Sequence, residues 1–92
     1  MHKVKMIAAG RVQGVGFRWG VKVLADQIDH IYGGVKNEED GTVTILAQSD
    51  HPELLSQFIQ EIRKGPSRVA KVNYLDVQLA NFKDFTDFKI LN

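Results

Sequence analysis

The sequence predicts an α+β domain on the ferredoxin-like split βαβ plan: an antiparallel sheet with two helices on one face, in the order β-α-β-β-α-β. Three observations carry this. Two stretches repeat apolar residues at helical spacing and are punctuated at both ends. Between them lie two short strand-like runs joined by a polar, glycine-bearing turn, the mark of a hairpin. One apolar run precedes the first helix and one long strand-like run follows the second.

The elements follow in chain order. "VKMIAA" (4–9) reads as a buried strand stopped by Gly10. Phe17, Val21, Leu24, Ala25 and Ile28 lie at i, i+4, i+7, i+8 and i+11, one face of a helix, although Gly20 costs it about 1 kcal/mol. "IYGGVKN" (31–37) and "TVTILAQ" (42–48) form a hairpin around the turn "EEDG". Asp50 is placed to cap the second helix, with Glu53 three residues on as in a capping box and Pro52 in the first turn. Leu55, Phe58, Ile59 and Ile62 make its apolar stripe, and "KGP" (64–66) ends it. "RVAKVNYLDVQL" (68–79) is a long strand whose apolar positions change parity between Val72 and Leu75, which predicts a bulge. "DFTDFKILN" is expected to add a short edge strand.

Composition narrows the function. The 92 residues fit a single domain spanning 1–92, and a 43% hydrophobic content allows one modest core. Twelve Lys and Arg against eleven Asp and Glu leave a net charge of +1, which argues against a general nucleic-acid binder or a membrane-surface protein. Without cysteine, disulfides, thiolate zinc sites and cysteine-nucleophile chemistry are excluded. The opening "MHKVKMIAAG" is too short in apolar residues for a signal peptide or membrane span, so a cytoplasmic protein is expected, and the small size of the chain suggests a monomer.

The stretch that asks for chemistry is "GRVQGVGFR" (10–18), which lies between the first strand and the first helix. Free N–H groups gather at a helix start, and glycines let successive amides turn inward into a concave anion nest. Gln13, Gly14, Val15, Gly16, Phe17 and Arg18 can thereby aim their N–H groups at one tetrahedral anion, with the planar Arg18 fork adding donors for two phosphate oxygens. Val12 and Phe17 are the core anchors of this loop. The Lys-Ser/Thr ending of a P-loop is missing, and the glycine spacing is not that of a dinucleotide fingerprint. Taken alone, such a loop serves equally as a turn, and a lone arginine at a helix start is more often simply solvated.

Two motifs make the reading specific. "GRVQGVGFR" resembles the acylphosphatase signature Gly-x-Val-x-Gly-Val-x-Phe-Arg, and in "GGVKNEEDGTV" the residues Gly33, Val35, Asn37, Gly41 and Val43 match that family's second signature. The resemblance runs essentially along the whole chain. Three departures stand out: Gly34 in place of an aromatic residue, Ser49 in place of a glycine, and "DHIYG" without its usual glycine and with one residue inserted.

What the resemblance implies is hydrolysis of small acyl phosphates to carboxylate and inorganic phosphate, without metal or cofactor. Arg18 and Asn37 are then the catalytic residues, Arg18 on the phosphate and Asn37 aiming the attacking water. Taken by itself, Asn37 is an ordinary strand-end residue. His2, His30 and His51 lack metal-ligand spacing, and Ser49, Ser56 and Ser67 lack a nucleophile motif. "EED" (38–40) is expected to be a solvated turn, and Arg11, Lys22, Arg63, Lys64 and Arg68 to be solvated cations. Tyr32 and Tyr74 are assigned to sheet packing, and Trp19 to a half-exposed cover beside the loop, with contact to the acyl group as the other reading. The competing function is a non-catalytic phosphate- or carbamoyl-phosphate-binding module with the same nest. An RNA- or amino-acid-binding module fares worse, for want of charge and of an aromatic pair on the sheet.

Overall fold

A computed structural model describes residues 1–92. The chain runs β1 (His2–Arg11), α1 (Phe17–Ile28), β2 (Tyr32–Asn37), β3 (Val43–Ser49), α2 (Pro52–Lys64), β4 (Lys71–Leu79) and β5 (Phe88–Ile90). The sheet order is β4-β1-β3-β2-β5. Met6 faces Ile45 on β3 and Val77 on β4, so alternate residues of three strands point to one side. That side carries the core: Met6, Val43 and Ile45 pack with Phe17 and Val21 of α1 and with Phe58 and Ile62 of α2. The predicted apolar stripes are the buried faces, although Leu24, Ile28 and Ile59 lie at their half-buried margins.

The parity change in β4 is a bulge. Tyr74 pairs with Ala9 and Val72 with Gly10, which leaves Asn73 without a partner on β1. The extra residue returns Val72 to the side of Leu75 and Val77. Tyr74 consequently falls on the other face and stays 62% exposed, so it does not pack as expected.

The first strand is not stopped by Gly10 but runs on through it to Arg11, and three further expectations need correction. The sheet is mixed, not wholly antiparallel: β2 and β5 are parallel, with Gly33 beside Phe88 and Val35 beside Ile90. After β4 the chain crosses the end of the sheet and returns along the far edge, so β5 runs opposite to β4. Three antiparallel steps across the sheet make β2 run opposite to β4 as well. Second, the cap of α2 is His51, in extended conformation, and no side chain caps the helix. Pro52 at the first helical position biases its predecessor to extended backbone, so the helix starts one residue later than Asp50 could serve. Ser49 Oγ instead accepts the His51 N–H at 3.0 Å. Third, β4 begins at Lys71 instead of Arg68, because residues 65–67 fold back toward α1 and Ser67 Oγ donates to the Val15 carbonyl at 3.0 Å.

The departures from the family pattern have local explanations. The space over buried Gly34 is filled by Leu91, whose side-chain carbons would lie 2.7 Å from a Cβ at that position. Where "DHIYG" lacks a glycine, Asp29 sits at φ 70°, ψ 163° and His30 at φ 59°. The Asp29 conformation is one that glycine alone adopts readily. Replacing Asp29 with Gly is therefore expected to stabilise the protein by about 1 kcal/mol, a rise in Tm of roughly 4–8 °C for a domain of this size. Asp29→Ala should lower Tm, since it keeps the strain and loses the Asp29 Oδ1 that accepts the His30 N–H at 2.8 Å. A thermal melt in which Asp29→Gly falls to or below Asp29→Ala, which lacks the same carboxylate, would show that the backbone there is not strained.

Candidate active site

The loop after β1 is built by its glycines. Gly14 and Gly16 take φ of 73° and 76°, in the left-handed region that L side chains avoid. A Cβ at either would meet nothing within 4 Å, so conformation and not crowding calls for glycine there. Val12 and Phe17, each 1% exposed, pin the two ends of the loop to the core as predicted. The main-chain N–H groups of residues 13–18 donate to no acceptor within the protein; the first α1 bond is Gly20 N–H to Gly16 O at 2.9 Å. No acidic side chain stands in the first turn of α1 to claim them. The six residues expected to cradle an anion thus form one continuous turn of uncommitted donors at the positive end of a helix.

Gln13 has a second part to play. Its side-chain Nε2 donates to the Glu38 and Thr42 carbonyls at 2.8 and 2.9 Å, tying the loop to the β2–β3 turn. That turn is the solvated one expected of "EED". The Thr42 hydroxyl and then its amide donate to exposed Asp40 and hold its carboxyl below the usual range, and Thr44 Oγ1 donates to Glu38 Oε2 at 2.6 Å.

Arg18 lies beside the loop with no Asp or Glu side chain paired to it. Its Nη1 donates to the main-chain oxygen and to Oδ1 of Asn92, at 2.6 and 3.1 Å, and its other donors have no protein acceptor. Asn92 also faces Asn37. The Asn37 N–H donates to Asn92 Oδ1 at 3.1 Å, and Asn92 Nδ2 donates to the Asn37 carbonyl at 3.0 Å. Arg18 and Asn37, distant in sequence, therefore meet across one asparagine. Asn37 Oδ1 is buried and has no hydrogen-bond partner within the protein.

Asn92 is the residue the sequence did not single out. It is exposed and its immediate neighbours spell no motif; it arrives through the pairing of β5 with β2, which Leu91 N–H extends by donating to the Val35 carbonyl at 2.9 Å. A cavity of about 350 Å³ opens over the loop, lined by Gly14, Gly16, Arg18, Trp19 and Asn92 among others. The histidines stay outside it. His30 and His51 stack with ring centroids 4.5 Å apart, and no three His, Asp or Glu side chains gather where they could hold a metal ion.

A ferredoxin-like sheet that ends its first strand in a loop of free amides, with an arginine unpaired to any Asp or Glu at the rim, has the makings of a small oxyanion-handling domain. Comparison with known proteins makes it particular. The acylphosphatase family model matches residues 4–90. The chain is 49% identical over 96 residues to the acylphosphatase of Lactococcus lactis, covering 98% of each chain, and 40% identical over 92 residues to that of Enterococcus faecalis, covering 99% of each. It superposes on the crystal structure of acylphosphatase from Bacillus subtilis with a TM-score of 0.92 at 35% identity, over the whole of both chains. The chain belongs to the acylphosphatase family, and its activity is the hydrolysis of acyl phosphates.

Proposed function

We propose that the six-residue nest and Arg18 bind the phosphate group of a small acyl phosphate, and that Asn37 aims the attacking water. The uncommitted N–H groups of residues 13–18 are the observation that carries this reading. Water oxygen bonds to phosphorus while the bond from phosphorus to the carboxyl oxygen breaks, and the electron pair leaves with the carboxylate. The acid of that leaving group has a pKa of about 4, so it departs without a proton and no general acid is required. Phosphoryl transfer of this kind passes through a loose transition state, where positioning and charge stabilisation make up most of the catalysis. Preorganised amides and a guanidinium supply the charge, the part that a metal ion plays elsewhere. Asn37 Oδ1, buried and unpartnered, supplies an acceptor for a hydrogen of the incoming water. The water's protons end on the phosphate and in solvent, so the products are carboxylate and inorganic phosphate.

The same reading makes the enzyme a single-domain cytoplasmic monomer that needs no cofactor and acts on small molecules, not nucleic acid. The near-even balance of acidic and basic residues supports the last point. The test is hydrolysis of benzoyl phosphate in excess EDTA, with inorganic phosphate as inhibitor. Turnover is expected to survive the chelator unchanged and phosphate to inhibit competitively. Activity that EDTA abolishes and added Mg²⁺ restores would overturn the metal-free mechanism. Phosphate binding without any turnover would favour the binding-module alternative.

A further inference from the structure

We propose that a groove beside the nest is the acyl-group subsite, and that it selects uncharged aryl or branched aliphatic chains over short or carboxylate-bearing ones. The proposal rests on the nest being the phosphate site. A cavity of about 490 Å³ runs between α1 and the turn that follows α2, with Trp19, Val23, Leu24 and Pro66 along its apolar walls. It shares Gly16 and Trp19 with the cavity over the nest, so the two adjoin. Trp19 is 63% exposed, a large apolar surface that core packing does not account for.

The groove is held in shape from both sides. A Cβ at Gly20 would lie 2.7 Å from the Pro66 carbonyl oxygen, so only glycine lets the turn approach α1 this closely. This is the use of a glycine that otherwise weakens the helix. Ser67 Oγ, bonded to the Val15 carbonyl, ties the same turn to the nest loop. A wall fixed to the phosphate loop holds an acyl chain at a set distance from phosphorus, which is what a specificity site requires.

In-line displacement places the water and the leaving group on opposed sides of phosphorus. Asn37 reaches the nest by way of Asn92, whereas the groove reaches it by way of Gly16 and Trp19. An acyl group lying in the groove therefore leaves the Asn37 border free for water. Gln27 and Glu61 also line the groove, with the Glu61 carboxylate 3.3 Å from Lys64 Nζ. An acyl chain carrying its own carboxylate would meet Glu61 there.

Steady-state kinetics with acetyl, benzoyl and 4-carboxybenzoyl phosphate test this, with inhibition by phosphate measured alongside. Wild-type kcat/KM is expected to favour benzoyl over acetyl phosphate by at least about tenfold, and benzoyl over 4-carboxybenzoyl phosphate by about two- to threefold, since Lys64 offsets part of the Glu61 charge. Trp19→Ala should reduce the benzoyl-to-acetyl ratio about tenfold, and Trp19→Phe should restore most of it. Glu61→Gln should narrow the discrimination against the carboxylate. A wild-type enzyme indifferent to the acyl group, or a Trp19→Ala ratio equal to wild type, would overturn the subsite. If phosphate still competes in that case, the groove assignment fails and the nest assignment stands.

Discussion

Replacing Arg18 with Gln is expected to lower kcat/KM for benzoyl phosphate by a factor of about 10³–10⁴ and to abolish competitive inhibition by phosphate. The size follows from the role. One preorganised donor at a developing oxyanion is worth roughly 10²–10³ in rate, and an arginine that neutralises a transferring phosphoryl group about 10³–10⁵. Arg18 is the one cation in the nest, with no Asp or Glu side chain drawing on its charge. Glutamine keeps a pair of N–H donors but has neither the charge nor the reach of the fork. The Lys variant keeps the charge without the planar geometry and should fall between the two. Stability should barely move, because Arg18 bonds only to exposed Asn92. A folded Arg18→Gln enzyme that loses less than tenfold, or is still inhibited by phosphate, would remove Arg18 from the mechanism.

Asn37→Ala is expected to behave differently: kcat falls about 10²–10³-fold, while KM and phosphate inhibition stay within about threefold of wild type. A group that orients the nucleophile acts on the chemical step, whereas in the proposed mechanism the nest and Arg18 hold the phosphate. The buried, unpartnered Oδ1 adds a second readout. Its loss removes no protein hydrogen bond, and an unsatisfied buried acceptor disappears, so Tm should hold or rise slightly. The bonds joining Asn37 to Asn92 run through its main chain and survive the substitution. If KM rises as steeply as kcat falls, Asn37 binds the substrate and does not aim the water.

Much of the molecule was legible in one dimension because its causes are short-range. The stripes through Phe17–Ile28 and Leu55–Ile62 specify helices whatever surrounds them, and the parity change at Val72–Leu75 required the bulge seen at Asn73. The capping-box pattern at Asp50 and Glu53 points one residue too early, because Pro52 holds its predecessor His51 in extended backbone and makes it the cap. The glycines of the nest could be read because a run of inward-facing amides needs left-handed residues at fixed places, here Gly14 and Gly16. Arg18 at the loop's end was visible in the same stretch.

Residue order alone was enough for the succession of strands and helices, for the glycine loop with its left-handed Gly14 and Gly16, and for the pair of motifs that single out Arg18 and Asn37. It did not contain the return of β5 alongside β2, the asparagine that joins those two residues, or the groove shaped by Trp19, Gly20 and Pro66. Periodicity and turn chemistry act over a few residues and leave their trace in the local string. Contacts between positions 18, 37 and 92 arise from chain closure over long loops, where which strand docks on which edge is settled by packing of the whole core.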